Sequence, residues 1–149
     1  MDDHWSAVQA CGPLSSSYGV AMTTAYWCVL VALFLPYLST VTAKAVSGGF
    51  SPRHNYDPRA LLDNLSGIGR RANNAQLNSF EVTPAFAAAV IIAHLAGGAE
   101  QALLDQLAIA FVISRLLYLL CYLADWAAAR SLVWFINMGL IISLFVVAA

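Results

Sequence analysis

Charge is what this 149-residue chain has least of. Only 10% of its residues are charged and 60% are hydrophobic, whereas soluble domains carry about 25% charged residues. That balance excludes a water-soluble globular domain. The net charge is −1, so no basic surface invites nucleic acid. Cysteine is also scarce. Cys11, Cys28 and Cys121 are odd in number and widely spaced, which gives neither a disulfide framework nor a zinc pattern. No second His or Cys stands at metal-binding distance from His94, so no metal site is expected. Strict alternation of polar and apolar residues is missing, which excludes a transmembrane β-barrel. The N-terminus, MDDHW, lacks the basic segment of a signal peptide, so the first apolar run is expected to remain as a span.

What the chain does have is long apolar runs. Four reach membrane length, at about 19–43, 72–96, 101–124 and 130–148, each close to or above the roughly 20 residues needed to cross. The first contains Pro36, which predicts a kink near residues 32–36. The second belongs to a helix starting near Gly69, with a polar first half and an apolar second half. Short connections force antiparallel neighbours. The expected fold is an all-α integral membrane protein, one domain built as a four-helix antiparallel bundle. Residues 44–71 form the longest polar connection. Within it Asp57-Pro58 reads as an N-cap followed by proline at the first helical position, opening a short amphipathic helix to about Leu65.

Of seven Lys and Arg, five (Lys44, Arg53, Arg59, Arg70 and Arg71) lie in the 44–71 connection, and Arg130 stands on the same side. The N-terminus, the Gly97-Gly98 turn and the C-terminus hold none. The positive-inside rule then places the 44–71 loop in the cytoplasm and both termini outside.

Two polar stripes enter the apolar runs. Arg71, Asn74, Asn78 and Glu81 are spaced by three, four and three residues, which on a helix confines them to a sector of about 80°. Arg115, Tyr118, Tyr122 and Asp125 repeat that spacing on the third span. Ionisable groups in a bilayer face one another, water or a ligand. Arg71 to Glu81 and Asp125 to Arg115 are both about 15 Å of helical rise, so the antiparallel registers predict a Glu81–Arg115 ion pair. Such a pair either fixes helix register alone or also lines a polar cavity open to the cytoplasm. Arg130-Ser131 opens the fourth run, where a helix N-terminus would suit an anion. An interfacial arginine snorkelling to lipid phosphates has the same spacing. Trp126 and Trp134 bracket it, as an aromatic belt would. Asn137 is expected to bond across helices.

The stretches RRANNAQLNSFEVTPAFAAAVIIAH, SRLLYLLCYLADWAAARSLVW and NYDPRALLDNLSG resemble the membrane-associated proteins in eicosanoid and glutathione metabolism, MAPEG, in the style of its bacterial branch. The marks are Arg71 with Asn78-x-x-Glu81 and Pro84, then Arg115, Tyr122 and Arg130-Ser131. The resemblance implies a homotrimer in a bacterial inner membrane, with glutathione bound between protomers near the cytoplasmic face. Carried over by position, it implies Arg130, Ser131 and Tyr122 as the catalytic set. Arg71, Asn74, Asn78, Glu81, Arg115 and Tyr118 would hold glutathione or border it. The arginine corresponding to Arg130 is thought to stabilise the thiolate in some members. Two positions depart from the glutathione-binding pattern: Asn74 stands for an arginine and Trp134 for a tyrosine.

The leading expectation is a glutathione-dependent transferase or peroxidase acting on lipophilic electrophiles among membrane lipids. The alternative is a non-catalytic membrane subunit or lipid-binding protein on the same bundle, favoured by Asn74 and Trp134. A transporter is disfavoured, since no inverted repeat or interrupted span pair is present.

Overall fold

The computed structural model describes residues 22–48 and 56–149. Five helices follow in order: α1 Thr24–Val46, α2 Pro58–Asp63, α3 Gly67–Ala96, α4 Gln101–Leu123 and α5 Ala127–Ala148. All but α2 are long and apolar enough to cross a membrane. The protein is an all-helical, multi-pass bundle of four long helices. The MDDHW segment, Cys11 and Arg53 lie outside the described residues.

Helix α1 shows how the bundle is made. Thr23 caps it by accepting from the Tyr26 amide at 3.4 Å, and Met22 and Thr23 precede the helix. Ala25, Cys28, Ala32, Pro36, Ser39 and Ala43 are its buried residues. Spaced by three or four, these small side chains form one stripe and let neighbouring backbones approach closely. The large side chains face outward: Leu30, Phe34, Leu38 and Val41 are exposed, as suits a surface solvated by lipid. The helix runs without a break through Pro36. The Thr40 hydroxyl donates to the Pro36 carbonyl at 3.2 Å, so the polar side chain below the proline turns back onto the backbone.

α1 packs on α3 and α4, and α5 packs on the same two helices. The centre is a stacked Phe86–Phe111 pair from α3 and α4, with ring centroids 3.8 Å apart and both side chains fully buried.

Polar contacts pin the two ends of the bundle. At one end Asp105 accepts from the Ala25 amide at 2.8 Å and from Gln101 at 2.8 Å. Gln101 also contacts His94 Nδ1 at 3.1 Å. A carboxylate from α4 thus satisfies an orphan amide at the start of α1. Gly98, in the turn between α3 and α4, lies directly under the Ala148 carbonyl at the end of α5. At the other end Arg71 of α3 reaches the Leu123 carbonyl at 3.3 Å and Asp125 at 3.5 Å. Lys44, Arg59, Arg70, Arg71 and Arg130 all belong to that second end, as the charge bias predicts.

Several boundaries differ from the sequence reading. The first span, expected over 19–43, is a helix from Thr24 to Val46, which draws Lys44 into its last turn. The amphipathic α2 stops at Asp63, although its proline start and Asp57 cap stand, with Asp57 accepting from Ala60 at 3.0 Å. The last helix begins at Ala127, not at Arg130. The Arg130 amide already donates to the Trp126 carbonyl at 2.9 Å. Arg130-Ser131 therefore sits one turn inside α5 and offers an anion its side chains, not free helix-end amides.

Candidate functional site

The α4 stripe becomes a stack. The Arg115 guanidinium lies over the Tyr118 ring at 4.4 Å. Tyr118 meets Tyr122 edge to face at 5.4 Å. The Arg130 guanidinium lies over the Tyr122 ring at 4.4 Å. Steps of three, four and one further turn across the α4–α5 corner thus alternate cation, ring, ring, cation. Each cation–ring contact contributes about 0.5–2 kcal/mol, more where water is excluded. The inner cation is buried at 4% exposure, whereas Arg130 is half-buried at the polar end.

Arg115 does not pair with Glu81. Its Nη2 donates to Ser79 Oγ at 2.8 Å, and both Nη atoms reach Asn78 Oδ1 at 3.3 Å. Asn78 in turn donates from Nδ2 to Glu81 Oε2 at 3.5 Å. Asn78 stands between the two charges, one turn before Glu81, and its amide presents an oxygen to the cation and a nitrogen to the anion. Glu81 stands at the height that helical rise predicts but on an exposed flank of α3. Ser79 completes the set: its own proton goes to the Ala75 carbonyl at 2.8 Å, which leaves its oxygen to accept from Arg115. Sequence spacing gave no sign of Ser79, because a serine inside an apolar helix reads as a small packing residue.

Below this layer Ser114 contacts Asn137 across α4 and α5 at 2.8 Å, and Asn137 donates to the Val133 carbonyl at 2.9 Å. Asn137 bonds across helices as expected. Its pair is wholly enclosed, so it serves packing.

A cavity of about 350 Å³ opens beside the stack, lined by Tyr118, Arg130, Ser131, Trp134 and Phe135. Its walls combine one cation and two polar hydroxyl side chains with two large rings. Ser131 donates to the Ala127 carbonyl at 3.1 Å, so its oxygen faces the space as an acceptor unless the hydroxyl turns. Arg71 lies apart from the cavity, held by Asp125 and Leu123, with its buried Nε lacking a partner. Asn74 is exposed and makes no described contact. Of the nine residues singled out, Tyr118, Tyr122, Arg130 and Ser131 gather at the cavity or its rim. Arg115, Asn78 and Glu81 form a connected second cluster reached through Tyr118. Among the described residues no cluster of His, Cys, Asp and Glu could hold a metal ion.

Comparison with known proteins adds one finding. The model of the MAPEG family matches residues 24–149. No curated protein and no solved structure matches the chain.

Proposed function

The chain belongs to the MAPEG family, and from that premise we propose that it is a glutathione-dependent transferase or peroxidase for lipophilic electrophiles. The observation that carries this reading is Arg130. Its guanidinium is fixed over the Tyr122 ring at 4.4 Å and lines a cavity of about 350 Å³ beside aromatic walls. A fixed cation beside a thiol favours the thiolate, which is the nucleophilic form. The aromatic side of the cavity suits an apolar co-substrate.

The residues accommodate glutathione in part. Glu81 keeps one carboxylate oxygen without a partner and could take the ligand's ammonium group. Bound glutathione supplies the thiol that attacks an electrophilic carbon or a peroxide oxygen. In that chemistry Arg130 holds the thiolate, Ser131 and the Tyr122 hydroxyl position it, and Arg115 with Asn78 orients Tyr118 and Glu81. The family further suggests a homotrimer with the site near a neighbouring protomer. The bias of Lys and Arg supports a bacterial inner-membrane orientation with the 44–71 loop cytoplasmic and both termini periplasmic.

The competing reading is a non-catalytic membrane subunit, favoured by Asn74, which leaves one carboxylate without its expected arginine. Conjugation of glutathione to an apolar aryl halide in detergent separates the two. The catalytic reading predicts turnover that Arg130→Ala lowers by about 100-fold, the scale on which removal of one charge-stabilising donor acts. Absence of turnover by well-folded native protein over several electrophiles and peroxides would favour the subunit. For orientation, a Ser66→Cys, Cys11→Ser variant should label only from the cytoplasmic side; labelling from the periplasm would reverse the topology. Chemical cross-linking should reach a trimer, and a ladder ending at dimer would contradict it.

A further inference from the structure

The turn between α4 and α5 is three residues long, Ala124, Asp125 and Trp126, and it is strained. Asp125 holds φ at 62°, a conformation that glycine adopts freely and an L side chain does not. The closure of the turn, from the Trp126 amide to the Cys121 carbonyl at 2.9 Å, needs no side chain at residue 125. Among the described residues the Asp125 carboxylate accepts from no backbone amide. It turns instead to Arg71 of α3 at 3.5 Å. Strain kept where glycine would remove it points to a task for the side chain.

Arg71 grips the corner with both ends of its fork. Nη1 reaches Asp125, and Nη2 donates to the Leu123 carbonyl at 3.3 Å, one of the four carbonyls that the end of α4 leaves open. The cation also stands at the negative end of the α4 dipole. Two turns further along α3, Asn78 and Ser79 hold Arg115. Helix α3 therefore grips α4 at two places about 10 Å apart along α3, and Tyr118 and Tyr122 lie between them. Tyr122 adjoins Leu123 in the chain, and its ring seats the Arg130 guanidinium at 4.4 Å. Neither Arg71 nor Asp125 lines the cavity beside Arg130, so their influence on that cation passes through the corner.

We propose that Asp125 is a positioning residue: its ion pair with Arg71 locks the α4–α5 corner and so holds Arg130 over the Tyr122 ring, beside the cavity. For its chemistry this inference rests on the thiol reading of that cavity. Arg71 then binds no part of glutathione. It acts on the thiol only by keeping Arg130 where a positive charge favours the thiolate. Asparagine tolerates the left-handed position, so Asp125→Asn removes the charge alone. Asp125→Gly removes the strain as well, and Arg71→Gln removes the other half of the pair.

Two readouts on the detergent-purified full chain test the clamp. The first needs no glutathione: modification of arginines by phenylglyoxal, mapped by mass spectrometry. Arg130 should react several-fold faster in each of the three variants, with Arg59 unchanged. The second is conjugation of glutathione to an aryl halide. In each variant kcat should fall about tenfold, within the roughly hundredfold that a misplacement of about 1 Å can cost. KM for glutathione should hardly change, and the ascending limb of the pH–rate profile should move to higher pH as the thiolate loses its cation. Arg71→Gln combined with Asp125→Asn should fall no further than either alone. Unchanged reactivity of Arg130 in Asp125→Asn and Asp125→Gly would overturn the proposal. So would native turnover in Asp125→Asn beside a raised KM in Arg71→Gln, which would make Arg71 a glutathione ligand. A native protein that conjugates nothing would sink the thiol reading alone, since the reactivity of Arg130 still decides for or against the clamp.

Discussion

Arg115 decides what the polar centre of the bundle is for. A guanidinium at 4% exposure is tolerable only because Ser79, Asn78 and the Tyr118 ring share its donors and its charge. Removing one hydrogen-bonding partner of a buried charge costs about 1–3 kcal/mol or more. Asn78→Ala should therefore lower the thermal midpoint clearly, and Ser79→Ala should do so comparably, because the shortest of the contacts, 2.8 Å, goes to Ser79. Glu81→Gln should change stability by less than about 0.5 kcal/mol, as substitutions at exposed positions do. A direct Glu81–Arg115 ion pair would predict the reverse order, and detergent melting curves of the three variants distinguish them. Asp125 offers a second residue-level test. It is the one described non-glycine residue with positive φ, at 62°. It occupies the left-handed position after α4, and the Trp126 amide closes onto the Cys121 carbonyl at 2.9 Å, the geometry in which glycine is usual. Asp125→Gly relieves about 1 kcal/mol of backbone strain while losing an exposed ion pair worth at most about 1 kcal/mol, so its melting temperature should stay near native. Asp125→Ala keeps the strain and loses the pair, and should melt lower.

At the scale of elements, the corner between α4 and α5 places the functional cation. The stripe Arg115, Tyr118, Tyr122 and Asp125 was legible from spacing alone, because three- and four-residue steps leave little choice on a helix. The start of α5 was not. Arg130 looked like a boundary because a charge seldom lies inside a span, yet an arginine one turn in can extend its stem back toward the interface. Ala127, Ala128 and Ala129, all strong helix formers, carry the helix outward past it. The partner of Arg115 was missed for a related reason: helical rise fixes height, whereas facing depends on how each helix is rotated, which spacing does not reveal. Because Arg130 rests on the Tyr122 ring and not on its hydroxyl, Tyr122→Phe should keep glutathione affinity within about threefold, the loss expected of one modest hydrogen bond. Tyr122→Leu, which removes the ring face, should weaken binding further by about 0.5–2 kcal/mol. Equal effects of the two would place the hydroxyl, not the ring, at the centre of the site.

The whole molecule was the most legible level. A chain with 60% hydrophobic residues, four long runs and Lys and Arg gathered on one side has few folds open to it, because backbone groups in lipid must be satisfied within helices. What remained hidden was how the ends close. The Asp105 contact with the start of α1 and the seat of Gly98 under Ala148 depend on contacts between segments far apart in sequence. A Cβ at residue 98 would collide with the Ala148 carbonyl. Gly98→Ala should therefore force α5 to shift and destabilise the bundle by about 1–3 kcal/mol, as overpacking does, while Gly48→Ala meets no neighbour and bears only the strain of its positive φ.

A thiolate held by Arg130 has a direct thermodynamic signature. Calorimetric titration of the detergent-solubilised protein with glutathione, and with its S-methyl derivative, addresses it directly. Glutathione should bind the native protein saturably, the S-methyl compound should bind more weakly, and that difference should be lost in Arg130→Ala. No heat from the native protein at millimolar glutathione, or the same preference retained without Arg130, would contradict it.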